Sequence, residues 1–346
     1  HPPDVQVFYH HEPESGNTSV SIGTLRQIEP VSDSRSALQE RTSAALATQV
    51  VQHRLDALRD APDTPFTTAS ISQGLFLRDI AYAQISADGD PGKWRDCLQI
   101  IEQQIRGALE FGFDATEVER VKADMLAELK KAAEQADTRK SDAIARRILR
   151  DLSEQRVTLS PRDRLSILSP FISGLKPADL HEAIRNSWQG AGRLIEVTGN
   201  ALLEKNPETA IRQVVAESLT KPAATPKGQA AAVFPYLPEP IDTAIIAGHD
   251  EVSDLGIIRI HYENGVRLAL KRTAFRDKQI LIQVTFGPGS AGEPLDQPGL
   301  SLFATDLVRE SGTGTLPRTD LDRALTGRTT SLQFHILEDR FVFSAE

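Results

Sequence analysis

The sequence is poor in the residues on which several classes of protein depend. It has one cysteine, Cys97, in 346 residues, so no disulfide bond can form within the chain. No run approaches the roughly 20 apolar residues that a membrane-spanning helix requires. Lys and Arg number 39 against 48 Asp and Glu, a net charge of -9, so the basic surface of a nucleic-acid-binding domain is absent. The 40% apolar and 25% charged residues that remain are typical of a globular protein.

Complete catalytic motifs are equally scarce. The segment GPGSAG at 287–292 matches G-x-G-x-x-G, but a dinucleotide site needs a helix that starts within the motif, and Glu293-Pro294 follows instead. A flexible loop between a strand and a helix is the better interpretation. No G-x-S-x-G nucleophile elbow is present. Cys97 lies in the apolar helical pattern WRDCLQIIEQQI, which favours a buried thiol over a nucleophile.

The histidines also lack the spacing of a metal site. His10-His11-Glu12 lies in a segment interpreted as a solvated strand. HEAIR at 181–185 has Arg185 where H-x-x-E-H has its second histidine, so zinc would lose a ligand. His53 is expected at a helix surface or edge, and the remaining histidines have no partner at ligand spacing: His249, His261 and His335. We predict no catalytic, cofactor-binding or metal-ligating residue in this chain.

Local patterns divide the chain into two parts. In the first, Leu38, Leu46, Val50 and Leu55 follow helical spacing behind the N-cap candidate Ser34. Gln73-Gly74 is interpreted as the turn of a hairpin. The predicted elements of this part are a strand at 18–25, helices at 35–60 and 91–112, a shorter helix and turn at 160–175, a helix at 176–188, a long helix or close pair over 114–155, a strand at 192–200 and a helix at 207–219.

Proline and alanine dominate the next stretch, in which no amphipathic period is visible. We interpret 220–254 as a semi-rigid interdomain linker, with its Pro-rich core at 220–248. Asn264-Gly265 then gives a strong hairpin signal. The predicted elements after the linker are strands at 257–262, 266–271, 279–287, 329–336 and 339–346, which would form one antiparallel sheet, and a helix near 299–310 packed on that sheet.

The fold class predicted from these elements is α+β, with helices packed on antiparallel sheets. The predicted domains are 1–219, the linker 220–254 and an incomplete domain at 255–346. The chain opens HPPDV without Met and closes within a strand-like pattern, so we expect a fragment cut at both ends. The sequence leaves a periplasmic or a cytoplasmic location open.

One segment carries a family resemblance. Residues 264–312 contain an N-G-x-R hairpin, a strand, a G-S-x-x-E-P-like loop and the helix start Gly299-Leu300. In this order they resemble a half of the pitrilysin/insulinase-type zinc metallopeptidases, the inverzincins. The helix of that family carries H-x-x-E-H. Here the histidine positions hold Leu302 and Asp306, and the glutamate position holds Thr305. The resemblance therefore implies a half in which the zinc ligands and the general base are missing.

The first part resembles the second, non-catalytic repeat domain of the same family. The resembling segments are SVSIG, SALQERTSAALATQVVQHRLDALRD, GFDATEVERVKADMLAEL and GRLIEVTGN. The resemblance implies a clamshell of two halves, each built from two related α+β domains, with this chain running from the second domain into the third. It also implies zinc and an H-x-x-E-H helix in the parent chain upstream of His1, and no zinc in this portion.

Three functions follow as alternatives. The first is the middle portion of an active zinc endopeptidase, which itself carries no catalytic site and forms part of the substrate chamber. The second is a metal-free subunit that binds peptides or partners in a two-chain peptidase. The third is an assembly scaffold. The expected partners are peptide substrates and the upstream catalytic domain, with self-association through the incomplete domain; no nucleic acid and no membrane span are expected.

Overall fold

The first part of the chain is built on one five-stranded sheet. The computed structural model describes residues 4–190, 192–203, 205–226, 228, 232–234 and 244–346. The strands are β1 (Asp4–His11), β2 (Thr18–Gln27), β3 (Phe66–Phe76), β4 (Ile80–Gly89) and β5 (Gly192–Gly199). They lie in the order β1-β5-β2-β4-β3; β1 is parallel to β5 and the other neighbouring pairs are antiparallel.

One face of this sheet is buried because apolar residues alternate along its central strands. Val20 of β2 lies opposite Ala87 of β4 and Val197 of β5, and all three are fully buried. Two residues along, Ile22 lies between Ile85 and Ile195 in the same way. Residues two apart share a face of a strand, so this register creates one continuous apolar surface, and helices from residues 35–59 and 94–111 pack on it.

Local sequence signals set the helices of the first part. The first helix begins after Ser34, whose Oγ accepts a hydrogen bond from the N–H of Ala37. The stretch over 114–155 is a close pair of helices separated by a 3-10 turn (Ala136–Thr138). The helices are α1 (Arg35–Arg59), α2 (Trp94–Phe111), α3 (Ala115–Glu134), α4 (Ser141–Ser153), α5 (Pro161–Gly174), α6 (Pro177–Ser187) and α7 (Pro207–Thr220). No helix in the described ranges is long and apolar enough to cross a membrane.

The hairpin turn predicted at Gln73-Gly74 is wrong. Strand β3 continues through both residues, and the chain reverses at Leu77 and Arg78, which take positive φ values of 48° and 72°. Gly74 pairs with Tyr82 of β4, and a Cβ at Gly74 would lie 3.0 Å from the tyrosine ring. The glycine therefore makes room for a cross-strand ring instead of a turn.

The second part forms two small sheets where one was predicted. The strands are β6 (Ile246–Val252), β7 (Ile257–Tyr262), β8 (Arg267–Lys271), β9 (Ile282–Phe286), β10 (Leu332–Ile336) and β11 (Phe341–Ala345). The helices are α8 (Leu300–Glu310) and α9 (Arg318–Ala324). One sheet has the order β6-β7-β8 and the other β10-β11-β9. β6 lies within the range predicted as linker.

The single sheet fails because β8 and β9 do not pair. Strand β6 pairs with the edge of β7 that does not pair with β8, and β9 pairs with β11. The second sheet has an aromatic cluster, in which the rings of Phe334 and Phe343 lie 4.7 Å apart and those of Phe286 and Phe341 lie 5.5 Å apart. Its core is small, since α8 and β9 keep most of their apolar side chains exposed.

The second part contacts α3 through polar groups. Lys131 Nζ lies 3.3 Å from Glu346 Oε1 and donates to the carbonyl of Thr329. The N–H of Gly327 donates to Asp124 Oδ1 at 2.6 Å. The predicted docking of the second sheet on the first part therefore involves the end of the sheet and a turn, and not the apolar face of the strands.

The start of the predicted linker is packed against α2. The N–H of Ala224 donates to the carbonyl of Gln103, and Arg106 donates to the carbonyl of Lys221. Ala223 is buried. The extended, unburied linker predicted at 220–254 therefore does not describe residues 221–226. Residues 227, 229–231 and 235–243 lie outside the described part of the chain.

Candidate functional site

The helix that resembles the zinc helix is held at its start by a carboxylate. Gly299 precedes α8 with a φ of 92°, a left-handed conformation that favours glycine. Glu293 accepts hydrogen bonds from the N–H groups of Gly299, at 2.6 Å, and Ser301, at 2.9 Å. Hydrogen bonds from Ser301 and Gly299 lower the pKa of Glu293. The loop before α8 is thus fixed to the first turn of the helix.

The three positions of the family motif lie on α8 with no metal-binding chemistry between them. Leu302 is 78% exposed. The hydroxyl of Thr305 donates to the carbonyl of Ser301 at 3.0 Å. The carboxylate of Asp306 lies 3.8 Å from the Arg309 guanidinium. Zinc in peptidases is bound by imidazole and carboxylate groups and keeps an open position for water. One carboxylate paired with a cation does not fit that ion.

The histidine pair of the first strand is divided between two faces. His10 is exposed and His11 is half-buried on β1, as expected where successive side chains alternate along a strand. Since the two rings point in opposite directions, they do not form a chelating pair.

The two helical histidines are engaged in packing. His181 Nε2 lies 2.9 Å from the carbonyl oxygen of Leu109. His53 lies where α1, α3 and α9 meet; burial lowers its pKa, and Arg120 adds to that effect against the opposing charges of Asp124 and Asp322. Neither ring belongs to a ligand set: within the described ranges, no three or more His, Cys, Asp or Glu side chains are grouped to hold a metal ion.

Cys97 has the surroundings of a structural thiol. It is buried, and its S–H donates to the carbonyl of Pro65 at 3.4 Å. Burial, reinforced by the negative charge of Asp96, raises the pKa of the thiol to about 11. The thiolate is the reactive form of cysteine, so this group is unsuited to act as a nucleophile near neutral pH.

The glycine-rich segment 287–292 forms a turn in which two amides already donate hydrogen bonds to the protein. The N–H of Ser290 donates to the carbonyl of Leu337, and that of Ala291 to the carbonyl of Glu338, both at 2.8 Å. Gly289 has a φ of 64°, and a Cβ there would lie 2.3 Å from the carbonyl oxygen of Leu337. The glycines therefore allow the turn to lie against the β10–β11 hairpin.

A cavity of about 600 Å³ between α1, α3, α4 and α5 is the feature that the sequence did not reveal. Arginines from distant positions line it: Arg35, Arg41, Arg147, Arg156 and Arg164. They are dispersed over more than a hundred residues and have no common spacing, so no local pattern could have identified them.

Comparisons with known proteins give a match in structure only. No protein-family model matches the chain, and no curated protein matches its sequence significantly. The periplasmic protease PqqL from Escherichia coli matches 99% of the chain at 16% identity with a TM-score of 0.55, and the first half of PqqL matches 64% of it at 15% identity with a TM-score of 0.57.

Two further proteases have the same fold. The ferredoxin protease FusC, solved as an E83A mutant with Arabidopsis ferredoxin, matches 99% of the chain at 15% identity with a TM-score of 0.59. A predicted insulinase family protease from Yersinia pestis matches 63% at 13% identity with a TM-score of 0.52.

These matches also define how much of each neighbour the chain represents. It covers 38% of PqqL, 38% of FusC, 48% of the PqqL first half and 46% of the Yersinia protease. The chain thus spans less than half the length of the proteases that it matches. Its architecture is α+β, as predicted, and its fold is that of the pitrilysin/insulinase-type proteases.

Proposed function

We propose that this chain is a non-catalytic portion of a zinc-dependent endopeptidase of the pitrilysin/insulinase type. The observation that carries the proposal is the surface of α8. In a protease fold, the helix that resembles the zinc helix presents Leu302, Thr305 and Asp306, with one carboxylate, already paired, and no imidazole.

The match to PqqL supports a position across two halves of the parent protein. The whole of PqqL matches 99% of the chain, whereas its first half alone matches 64%. A chain that begins within one half and continues into the next would produce this difference. The zinc helix would then belong to a segment upstream of this chain.

The role that we assign to these residues is the wall of a substrate chamber. Zinc, where the parent protein binds it, would activate water for peptide hydrolysis. The residues of this chain would enclose the substrate and keep it near that centre. The complex of FusC with ferredoxin favours folded proteins or long peptides as substrates of such a chamber.

Zinc content and peptide hydrolysis test the proposal together. The purified, dialysed chain should hold no stoichiometric zinc and should not hydrolyse a quenched peptide, because α8 carries neither the two histidines nor the glutamate of H-x-x-E-H. Adding the upstream segment that carries H-x-x-E-H should give chelator-sensitive hydrolysis.

A triple variant provides the positive control for the zinc measurement. Leu302→His, Thr305→Glu and Asp306→His would place two imidazoles one helical turn apart on an exposed face, a spacing that binds zinc. One tightly bound zinc in the unmodified chain, or chelator-sensitive hydrolysis by it alone, would contradict the proposal. An upstream segment that lacks H-x-x-E-H would favour the alternative of a metal-free, peptide-binding subunit.

A further inference from the structure

The cavity between α1, α3, α4 and α5 concentrates positive charge in a chain that is acidic overall. Five arginines and three acidic residues line it, against a net charge of -9 for the whole chain. Its volume of about 600 Å³ lies within the range of roughly 300–1,000 Å³ that is typical of ligand sites.

Two of the carboxylates that line the cavity already accept hydrogen bonds from arginines of the same lining. Asp33 accepts from Arg41 at 2.6 Å and from the N–H of Val157 at 2.8 Å. Asp151, which is buried, accepts from Arg147 at 2.8 Å. These bonds hold Arg41 and Arg147 in place on the wall of the cavity.

These bonds do not engage Arg35, Arg156 or Arg164. Arg35 is exposed at the start of α1, and Arg156 pairs with Glu154. Arg164 is the remaining cation. Its guanidinium is half-buried and has no hydrogen-bond or ion-pair partner among the described residues. Burial and the nearby charges of Arg147, Arg41 and Arg156 lower its pKa, opposed by Asp151. An anion in the cavity would relieve this repulsion, and the planar guanidinium suits a carboxylate, which it can bind with two hydrogen bonds.

The remainder of the lining is apolar. Met125 and Leu129 of α3, Leu159 before α5 and Ile167 within α5 border the same space and are only partly buried. A strongly hydrated anion alone would leave this surface without a partner. A carboxylate attached to an apolar group would contact both parts of the lining.

We propose that this cavity binds a carboxylate joined to an apolar group, with Arg164 as its principal cationic partner. Two sources share this chemistry: the C-terminus of a peptide that ends in an apolar residue, and a small free organic acid. Only the peptide source rests on the proposed function; binding of the carboxylate itself does not depend on it.

Calorimetric titration of the full chain tests the proposal with paired probes. N-acetyl-leucine should bind, whereas N-acetyl-leucinamide, which lacks the charge, and inorganic phosphate, which lacks the apolar group, should bind at least tenfold more weakly. N-acetyl-Ala-Ala-Ala-Leu that binds more tightly than N-acetyl-leucine indicates a peptide terminus, and equal or weaker binding indicates a small acid.

Three variants locate the site. Arg164→Gln should weaken N-acetyl-leucine binding about tenfold, the loss expected for one charge-assisted hydrogen bond. Ala45→Glu, at an exposed position of the lining, should also weaken it by adding a negative charge. Arg146→Gln is the matched control, since Arg146 lies on α4 beside Arg147 but outside the cavity.

The outcomes decide the proposal separately from the zinc chemistry. Equal binding of the acid and the amide, undetectable binding of the acid, or an equal loss in Arg146→Gln and Arg164→Gln would overturn it. None of these results bears on whether the parent protein is a peptidase, which the zinc and hydrolysis measurements address.

Discussion

Gly107 marks the point where the chain leaving α7 crosses α2. A Cβ at this position would lie 1.9 Å from the carbonyl oxygen of Ala224, which is itself anchored by its N–H to Gln103. Alanine normally stabilises a helix relative to glycine by about 0.5–1 kcal/mol. At this crossing we expect alanine to destabilise the protein instead, because neither backbone segment can move away from the other without loss of its hydrogen bonds.

The substitution Gly107→Ala should therefore lower the free energy of unfolding, by about 1–3 kcal/mol, as overpacked interiors do. Gly174→Ala is the matched control: Gly174 is also helical, and a Cβ there would have no neighbour within 4 Å. Denaturant unfolding of both variants gives the comparison. Equal effects of the two substitutions would show that the Ala224 contact is not a constraint.

Cys97 gives a pH-dependent prediction at the same scale. Its pKa rises from 9.0 to about 11 on folding, so the unfolded chain loses the thiol proton first as the pH rises. The free energy of unfolding should accordingly decline between pH 9 and pH 11, and the stabilisation should be complete below pH 9. The variant Cys97→Ala should decline less steeply over this interval, and parallel pH profiles of the two proteins would contradict the assignment.

At the scale of elements, the sequence predicted those features that depend on local sequence signals, such as the start of a helix. Helix α1 was predicted from the Ser34 cap and a 3–4 spacing, and it begins one residue after that cap. The β3–β4 turn was missed because Leu77 and Arg78 are unusual residues for positive φ, while Gly74 has a cross-strand role. The two small sheets were missed because strand pairing depends on distant partners that alternation does not specify.

The contacts of residues 221–226 narrow the range in which the linker is expected to be cleaved by a protease. Residues 221–226 are bonded to α2 through Lys221 and Ala224, so limited proteolysis should spare them. We expect the first cleavage within 227–245, before β6, because this sequence is rich in proline and alanine and shows no apolar period. Mass spectrometry of the early fragments checks this expectation. A first cut within α1 or α3 would argue against the predicted division of the chain at 220–254.

At the scale of the whole molecule, the two parts differ in how well they bury their apolar residues. The first part has a continuous core, which includes Leu46, Ile85 and Ile195. In the second part, Leu268, Ile282 and Val284 remain exposed on their strands, and α8 exposes Leu302 and Phe303. The position of α8 was predicted from its apolar spacing, but the arginine cavity was not, because folding alone brings α1, α4 and α5 together.

The exposed apolar residues of the second part should cause concentration-dependent self-association. Contiguous apolar patches of this kind drive association in water, and Leu302 and Phe303 are 78% and 65% exposed on α8. In sedimentation velocity, the weight-average sedimentation coefficient should rise with concentration. The double variant Leu302→Glu, Phe303→Glu should reduce the rise without unfolding the chain, because neither side chain is buried.

Leu202 supplies the control for this measurement. It is 81% exposed but follows β5 in the first part of the chain, whereas α8 belongs to the second part, so Leu202→Glu changes the net charge without altering a residue of α8. That variant should associate as the unmodified chain does. A monomer at every concentration would contradict the prediction. An equal reduction in Leu202→Glu and in the α8 variant would show that general charge repulsion, and not the apolar surface of α8, controls the association.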